Sequence, residues 1–429
     1  MQIHVVQTGD TLWQIAQTYN TNIDLIVQAN QIPNPNQLVI GQAMVIPIVG
    51  SFYWVQAGDN LWSIAQRFGM DYTRLAQINA INPNQPLQIG FRLYLPPQQR
   101  RSIETNAYIE PRGTSVSQAL LAEARIAGPY LTYLAPFSYE ARRDGSLQRL
   151  PLQGIPEVAQ ETGTSLMMVV TNLEGGQFSG ELGRDIFQSQ AVQDLLIDNI
   201  IAETKRVGRY TDVHFDFEFL PGDQRQAYNN FLRKAASRLR AEGLLISSAL
   251  APKTRADQPG QWYEAHDYRA HGEIVDFVVL MTYEWGYSAG PPLAVSPIRQ
   301  VEEVLQYALT EMPGSKIMMG QNLYGYDWTL PFVEGGEYAK AVSPQRAIEL
   351  ATQYQVQIQY DTQAQAPHFD YVDEEGRAHK VWFEDARSIQ AKFDLIKRLN
   401  LRGISYWKLG LSFPQNWLLI SENFEVVKR

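Results

Sequence analysis

From Thr211 to Phe219 the chain reads Thr-Asp-Val-His-Phe-Asp-Phe-Glu-Phe, with polar and apolar residues in alternation. Side chains two apart on a strand share a face. Asp212, His214, Asp216 and Glu218 therefore line one face, and Val213, Phe215, Phe217 and Phe219 the other. The apolar face suits packing against helices. The four ionisable groups are costly to bury unless they are paired or put to use. By alternation alone, an edge strand whose polar face meets water is the simpler reading. Pro221-Gly222 ends the strand, and Asp223 is placed to cap a helix running to Arg240, with Gly243 past its end. Two carboxylates at the exit of a strand that feeds a helix are where a (β/α) barrel carries its chemistry.

Downstream of Ile103 short apolar runs alternate with helical patterns, which predicts a parallel sheet. The expected strands are Thr105–Ile109, Tyr130–Phe137, Ser165–Thr171, Asp212–Phe219, Leu245–Ala251, Ile274–Thr282, Lys316–Leu323 and Gly403–Lys408. Runs such as Leu166–Val170 are apolar throughout, as strands buried on both sides should be. The expected class is α/β: a (β/α)8 TIM barrel over 103–429 with a small α+β insertion at about 332–382. A doubly wound open sheet is the alternative, but no Gly-rich turn follows the first strand. Within the insertion, Pro344–Tyr354 reads as a helix. Gln357–Tyr360, His368–Asp373 and His379–Phe383 read as short strands, with a turn at Glu374-Glu375-Gly376.

The first hundred residues are an internal duplication. Val6-Gln7-Thr8-Gly9-Asp10-Thr11-Leu12-Trp13 recurs as Val55-Gln56-Ala57-Gly58-Asp59-Asn60-Leu61-Trp62, and the register holds to Pro47 and Pro96. Each unit, 1–48 and 51–97, reads as βααβ, with Asp10 or Thr11 capping the first helix. Ser51 to Tyr53 reads as the joint between them, and Pro96 to Arg101 as the linker to the rest.

A net charge of −9 argues against nucleic acid and against an anionic membrane surface as partners. The absence of cysteine excludes disulfides and thiolate sites. No apolar run reaches the length of a membrane span, and Met1–Val6 shows no secretory signal. The histidines are scattered without metal-ligand spacing, so neither metal nor cofactor is expected.

The Thr211–Glu218 stretch resembles the Asp-x-x-Asp-x-Asp-x-Glu signature of family 18 glycoside hydrolases. Glu218 falls on the terminal Glu and Asp216 on the Asp before it, while His214 and Thr211 stand where the family has Asp. The resemblance implies catalysis assisted by the substrate's acetamido group. Glu218 is then the acid, Asp216 the residue that orients the acetamido N–H, and Tyr283 the donor to its carbonyl. Glu284 stands in the family's Met-x-Tyr-Asp pattern, and Trp407 resembles the floor of the subsite for the cleaved sugar. Gln321, Asn322 and Tyr324, at the end of the seventh strand, are placed for sugar hydroxyls. His214 is expected to hydrogen-bond Asp216 and so to shape the acid limb of the pH–rate profile.

The duplicated units resemble LysM modules, which bind N-acetylglucosamine glycans. That resemblance implies a sugar groove at Gly9, Asp10, Thr11, Asn30 and Ile32, and at Gly58, Asp59, Asn60, Asn79 and Ile81. Together these imply a hydrolase of peptidoglycan or a related N-acetylglucosamine polymer, similar to spore-cortex-lytic N-acetylglucosaminidases, monomeric and located at the cell wall or spore. A chitinase, or a catalytically silent wall-binding lectin, is the alternative.

Overall fold

The computed structural model describes residues 1–429, in two units, Met1–Arg100 and Arg101–Arg429. In the first unit each repeat begins its first helix where a side chain satisfies the free N–H groups. Thr11 accepts from the Gln14 amide while the Gln14 side chain accepts from the Thr11 amide, and Asn60 and Ser63 do the same in the second repeat. Such boxes are each worth about 1 kcal/mol. Asp10 therefore does not cap. It pins the turn instead, accepting from the Gln7 amide at 2.8 Å and pairing with His4 at 2.9 Å.

Repeat one runs Gln2–Val5, Leu12–Tyr19, Ile23–Asn30, Ala43–Ile46, and repeat two Ser51–Trp54, Leu61–Arg67, Tyr72–Ile78, Arg92–Leu95. The two strands of each repeat pair antiparallel. Leu12, Ile15, Ile26, Met44 and Ile46 form one small core, and Leu61, Ile64, Leu75, Leu93 and Leu95 the other. Ser51–Tyr53 is thus not a joint: it is the opening strand of repeat two, with Ser51 opposite Leu95.

In the second unit eight parallel strands close on themselves: Arg101–Ile109, Tyr133–Pro136, Ser165–Thr171, Tyr210–Asp216, Leu245–Leu250, Phe277–Leu280, Ile317–Asn322 and Gly403–Trp407. The fourth pairs with both the third and the fifth, and the eighth with the seventh and the first. This ring excludes the open sheet. Tyr108, Tyr133, Met167, Val169, Phe277, Val279 and Met318 fill its interior.

The fourth strand shows why alternation sets the site. Phe215 and Phe217 point outward onto the helix Arg225–Ala241, with Phe217 stacked on Tyr228 at 5.8 Å and Phe215 edge-on to Phe231 at 5.3 Å. Burying each such ring stabilises the fold by about 1.5–3 kcal/mol. The residues between them must then face the barrel axis. Two local readings change. The ladder ends at Asp216, so Glu218 stands just beyond it, and a short 3-10 turn over Gly222–Gln224 precedes the helix, so Asp223 is not its cap.

The insertion is larger than the sequence pattern indicates. Gly325–Thr329 and Lys340–Val342 join the later strands in a five-stranded antiparallel sheet beside the helix Pro344–Gln353. It begins at Gly325, where a Cβ would stand 2.2 Å from the Trp382 carbonyl oxygen. The chain crosses from barrel to insertion on a glycine chosen for that close approach, with no turn signal.

Candidate active site

Glu218 leaves the ladder, but its backbone is fixed. The Asn172 side chain, just past the third strand, donates to the Glu218 carbonyl at 2.8 Å and accepts from its amide at 2.9 Å. His266 bonds the carbonyl of Phe217 at 2.9 Å. The Trp262 indole N–H donates to Glu218 Oε2 at 2.5 Å. Burial pushes the Glu218 carboxyl well above the usual range, the Asp216 carboxylate beside it pushes the same way, and the Trp262 bond opposes them. Burial also raises Asp216, whose Oδ1 is buried without a protein partner. Two buried carboxyl groups that sense each other's charge resist ionising together, so the pair holds a proton that an exposed Glu would have lost.

His214 does not meet the expectation placed on it. It is fully buried beneath Asp216 and makes no hydrogen bond to it. Its Nε2 bonds the Tyr108 hydroxyl at 2.9 Å and its Nδ1 the Ser247 hydroxyl at 2.8 Å, and Ser247 donates onward to Asp212 at 2.6 Å. Burial pushes His214 down to about 3 and Asp212 up to about 7. A neutral imidazole that links a phenol to a serine has no proton to share with Asp216 and no surface to offer a sugar.

The sign of the pH effect on stability follows. The unfolded chain takes up a proton at this His near pH 6.5 and the folded chain does not. Its contribution is therefore complete above about 6.5 and is lost as pH falls toward 3. His214→Asn is expected to be about 1–3 kcal/mol less stable near neutrality, because Tyr108 and Ser247 lose a buried partner. The deficit should narrow as the medium is acidified. Urea unfolding of both proteins across that range measures it; a constant deficit would show that His214 is not held neutral.

Around the mouth, Tyr283 is buried, and its hydroxyl is raised well above its ordinary value by burial first and then by Tyr108, Asp216 and Glu218. Glu284 accepts from the hydroxyls of Tyr324 and, at 3.1 Å, Tyr326. Burial raises this carboxyl too, and those two bonds oppose it. Trp407 rests on Phe137 at 4.8 Å and Tyr108 at 5.4 Å. Glu284, Tyr324, Tyr326, Trp407 and Lys408 line a cleft of about 730 Å³.

Gln321 and Asn322 are not on that surface; both are fully buried. Met318 packs inside the barrel, so Gln321 falls on the opposite face of the same strand. It donates to Asn322 at 3.0 Å, and Asn322 donates to the carbonyl of Tyr324 at 2.6 Å. They brace the turn that delivers Tyr324.

In the repeats, Gly9 and Gly58 are exposed turn residues with φ of 90° and 87°, Thr11 and Asn60 are exposed caps, and Asp10 and Asp59 pin the turns. Asn30 and Asn79 serve as clamps within their repeats. Each donates to the carbonyl of residue 45 or 94 and accepts from that residue's amide, tying the second helix to the closing strand. Ile32 is buried in the first core and Ile81 packs on the second.

The sequence reading missed Asn172, Trp262, Tyr108 and Ser247. Asn172 and Trp262 lie in loops and Ser247 in a different strand, so no periodicity links them to Glu218. Tyr108 carries the one available signal, as an inward-facing polar ring on the first strand. No group of His, Asp or Glu side chains is arranged to hold a metal ion, and no helix is long and apolar enough to cross a membrane.

A barrel that raises one carboxylic acid by burying it beside a second carboxyl, with the Tyr283 hydroxyl within reach of both charges, is equipped for acid-assisted cleavage of a glycosidic bond. The chain belongs to the glycosyl hydrolases of family 18, whose model matches residues 164–411, and carries LysM domains at 4–47 and 53–96. It is 63% identical over 429 residues to the cortical fragment-lytic enzyme of Bacillus subtilis (strain 168), spanning 100% of this chain and 99% of that one. The crystal structure of the Bacillus megaterium QM B1551 spore cortex-lytic enzyme SleL superposes with a TM-score of 0.91 at 53% identity, over 100% of this chain and 99% of that one. A chitinase from Chromobacterium violaceum ATCC 12472 shares the barrel fold at 22% identity, with a TM-score of 0.67 over 75% of this chain and 98% of its own.

Proposed function

We propose that this chain hydrolyses spore-cortex peptidoglycan at N-acetylglucosamine, with retention, using the substrate's own acetamido group as nucleophile. The observation that carries the reading is 63% identity over the full length to a cortical fragment-lytic enzyme, in a chain whose Glu218 carboxyl is pushed up by burial and by Asp216 beside it. In this mechanism the acetamido oxygen attacks the anomeric carbon while Glu218 passes its proton to the departing sugar oxygen. Asp216 Oδ1, buried and without a protein partner, accepts the acetamido N–H and offsets the positive charge that forms. Tyr283 donates to the acetamido carbonyl, and Trp407 floors the cleaved sugar. Glu218, now ionised, takes a proton from the water that opens the cyclic intermediate. The enzyme works as a monomer at the wall or spore.

Digestion of purified cortex fragments beside chitin oligomers, with mass analysis of products, tests this. Cortex products that end in N-acetylglucosamine are expected. Cleavage of chitin alone would favour a chitinase, and cleavage of neither a wall-binding lectin.

The modules 1–48 and 51–97 supply attachment and 103–429 supplies cleavage. Each repeat has its own core, and the two compact units divide at Arg100. Removing residues 1–97 is expected to abolish most sedimentation with insoluble peptidoglycan while leaving turnover of small soluble fragments within about threefold, a difference of under about 0.7 kcal/mol. Parallel loss of both in a folded barrel would overturn that division.

A further inference from the structure

We infer that Lys253, a lysine sealed inside the loop after the fifth strand, is a positioning residue for the acid: it holds the loop on which Trp262 sorts the two oxygens of Glu218. This rests on the reading of Glu218 as the acid. A carboxylic acid has one O–H and one oxygen that only accepts. The Trp262 indole can only donate, and it donates to Oε2, so the proton of Glu218 belongs on Oε1. None of the hydrogen bonds of the Glu218 side chain goes to Oε1, which leaves that O–H for the glycosidic oxygen. Once the proton has gone, the indole bonds a charged oxygen and holds it more strongly. The bond therefore favours giving the proton up, which is the sense in which Trp262 opposes burial.

An indole with this task has to be held, and its loop has no helix or strand between Leu250 and Tyr268 to hold it. Lys253 is 1% exposed, and its Nζ donates to the carbonyls of Ala256 and His266 at 3.0 Å each, tying the start of the loop to its end. Both partners are carbonyls, and no carboxylate pairs with it. Burial pushes Lys253 down to about 8 and Arg225 pushes the same way, against Asp267, Asp257 and Glu264. A lysine buried in that way is costly, and what it supplies is donors for backbone carbonyls that water does not reach. His266, whose carbonyl it holds, accepts the Ala251 amide on Nδ1 at 2.9 Å. Its Nε2 therefore carries the hydrogen donated to the Phe217 carbonyl, one residue before the acid. Between the two ends, Arg225 Nε donates to the Glu264 carbonyl at 2.6 Å. Trp262 thus sits on a loop pinned by two cations to the same strand end that carries Glu218.

Lys253 does not act on the acid by its charge. The titratable groups that sense Glu218 are Asp216 on its own strand, Tyr108 on the first strand and Tyr283 after the sixth. Lys253 is not among the groups that shift Glu218. Its own titration also leaves the loop in place, because a neutral amine keeps two N–H groups for its two carbonyls. What reaches Glu218 from Lys253 is the position of the indole.

The test uses the full chain, kcat/KM against pH, and two probes with the same cleaved portion. One is a cortex oligosaccharide, whose leaving sugar needs a proton; the other is the 2,4-dinitrophenyl glycoside, whose leaving group needs none. Trp262→Phe is expected to lower the ratio of kcat/KM for oligosaccharide over dinitrophenyl glycoside about tenfold. It should also move the alkaline limb of the oligosaccharide profile to higher pH, because the bond that favours the carboxylate is gone. Lys253→Met should move ratio and limb the same way, and added to Trp262→Phe it should change neither further. Arg225→Ala, which frees the Glu264 carbonyl from a half-buried side chain, should repeat the Lys253→Met result and decides the matter if that variant fails to fold. An alkaline limb that stays in place in these variants overturns the inference. So does an equal loss on both probes, or a Lys253→Met effect that adds in full to that of Trp262→Phe. Glu218→Gln tests the reading beneath it: an equal loss on both probes in that variant would remove Glu218 as the acid.

Discussion

Glu218→Gln is expected to lose hydrolysis of cortex fragments by about 10²–10⁴-fold, the span over which a positioned general acid acts. The substitution keeps the shape of the side chain, and its carbonyl oxygen can still accept from Trp262 as Glu218 Oε2 does. Asn172 holds the residue by its backbone, which the change leaves alone. Fold and attachment should therefore survive, and sedimentation with insoluble peptidoglycan should match that of the parent. What is lost is the proton. No other carboxyl group on this strand can replace it, because Asp216 is one pleat deeper and Asp212 is sealed in the barrel beneath Ser247. Mass analysis of digested fragments measures the residual rate, and turnover within tenfold of the parent would remove Glu218 from the role of acid.

The parts of this molecule that were legible in its sequence are those fixed by short-range pattern. The barrel strands announce themselves as apolar runs of the right length, because each is covered on both sides. The duplicated repeats announce themselves by register. Asp216 and Glu218 stand out because carboxylates recur at a period of two opposite a row of phenylalanines. Their partners are invisible in that pattern, since pairing between strands sets them. His214 reaches Tyr108 across the barrel and Ser247 on the neighbouring strand, 106 and 33 residues away, rather than the carboxylate two residues along its own strand. Parity is equally hard to read near a strand end. Gln321 looks like a rim residue until Met318 is known to face inward. The polar clamps Asn30 and Asn79 carry the residue type of a ligand but spend every donor inside the fold. The start of the insertion carries no sequence signal, because its first strand follows Tyr324 directly, on a glycine that serves close packing rather than a turn.

Asp216→Asn should cost about 10²–10³-fold in kcat, the usual effect of removing one group aimed at charge that develops in the transition state. His214→Asn, by contrast, should cost less than about tenfold, the equivalent of about 1.4 kcal/mol. The two residues share a face of one strand, yet their surroundings differ. Asp216 keeps a carboxylate oxygen free of protein partners at the mouth, whereas both ring nitrogens of His214 are bonded within the barrel. Asparagine at 216 can still fill the space, but it cannot carry the negative charge that the oxazolinium-like intermediate requires. Both limbs of the pH–rate profile should also stay where they are in His214→Asn, because His214 remains neutral down to about 3 and has no titration to contribute in the working range. The acid limb belongs to Asp216, whose burial delays its ionisation. Replacing it with asparagine should flatten that limb in whatever activity remains. Measuring kcat/KM against pH for both variants separates the cases. If His214→Asn moved the acid limb, or proved as inactive as Asp216→Asn while folded, the imidazole would have to exchange protons with the reacting pair. The closed relay of Tyr108, His214, Ser247 and Asp212 would then be the wrong description of the space beneath the acid.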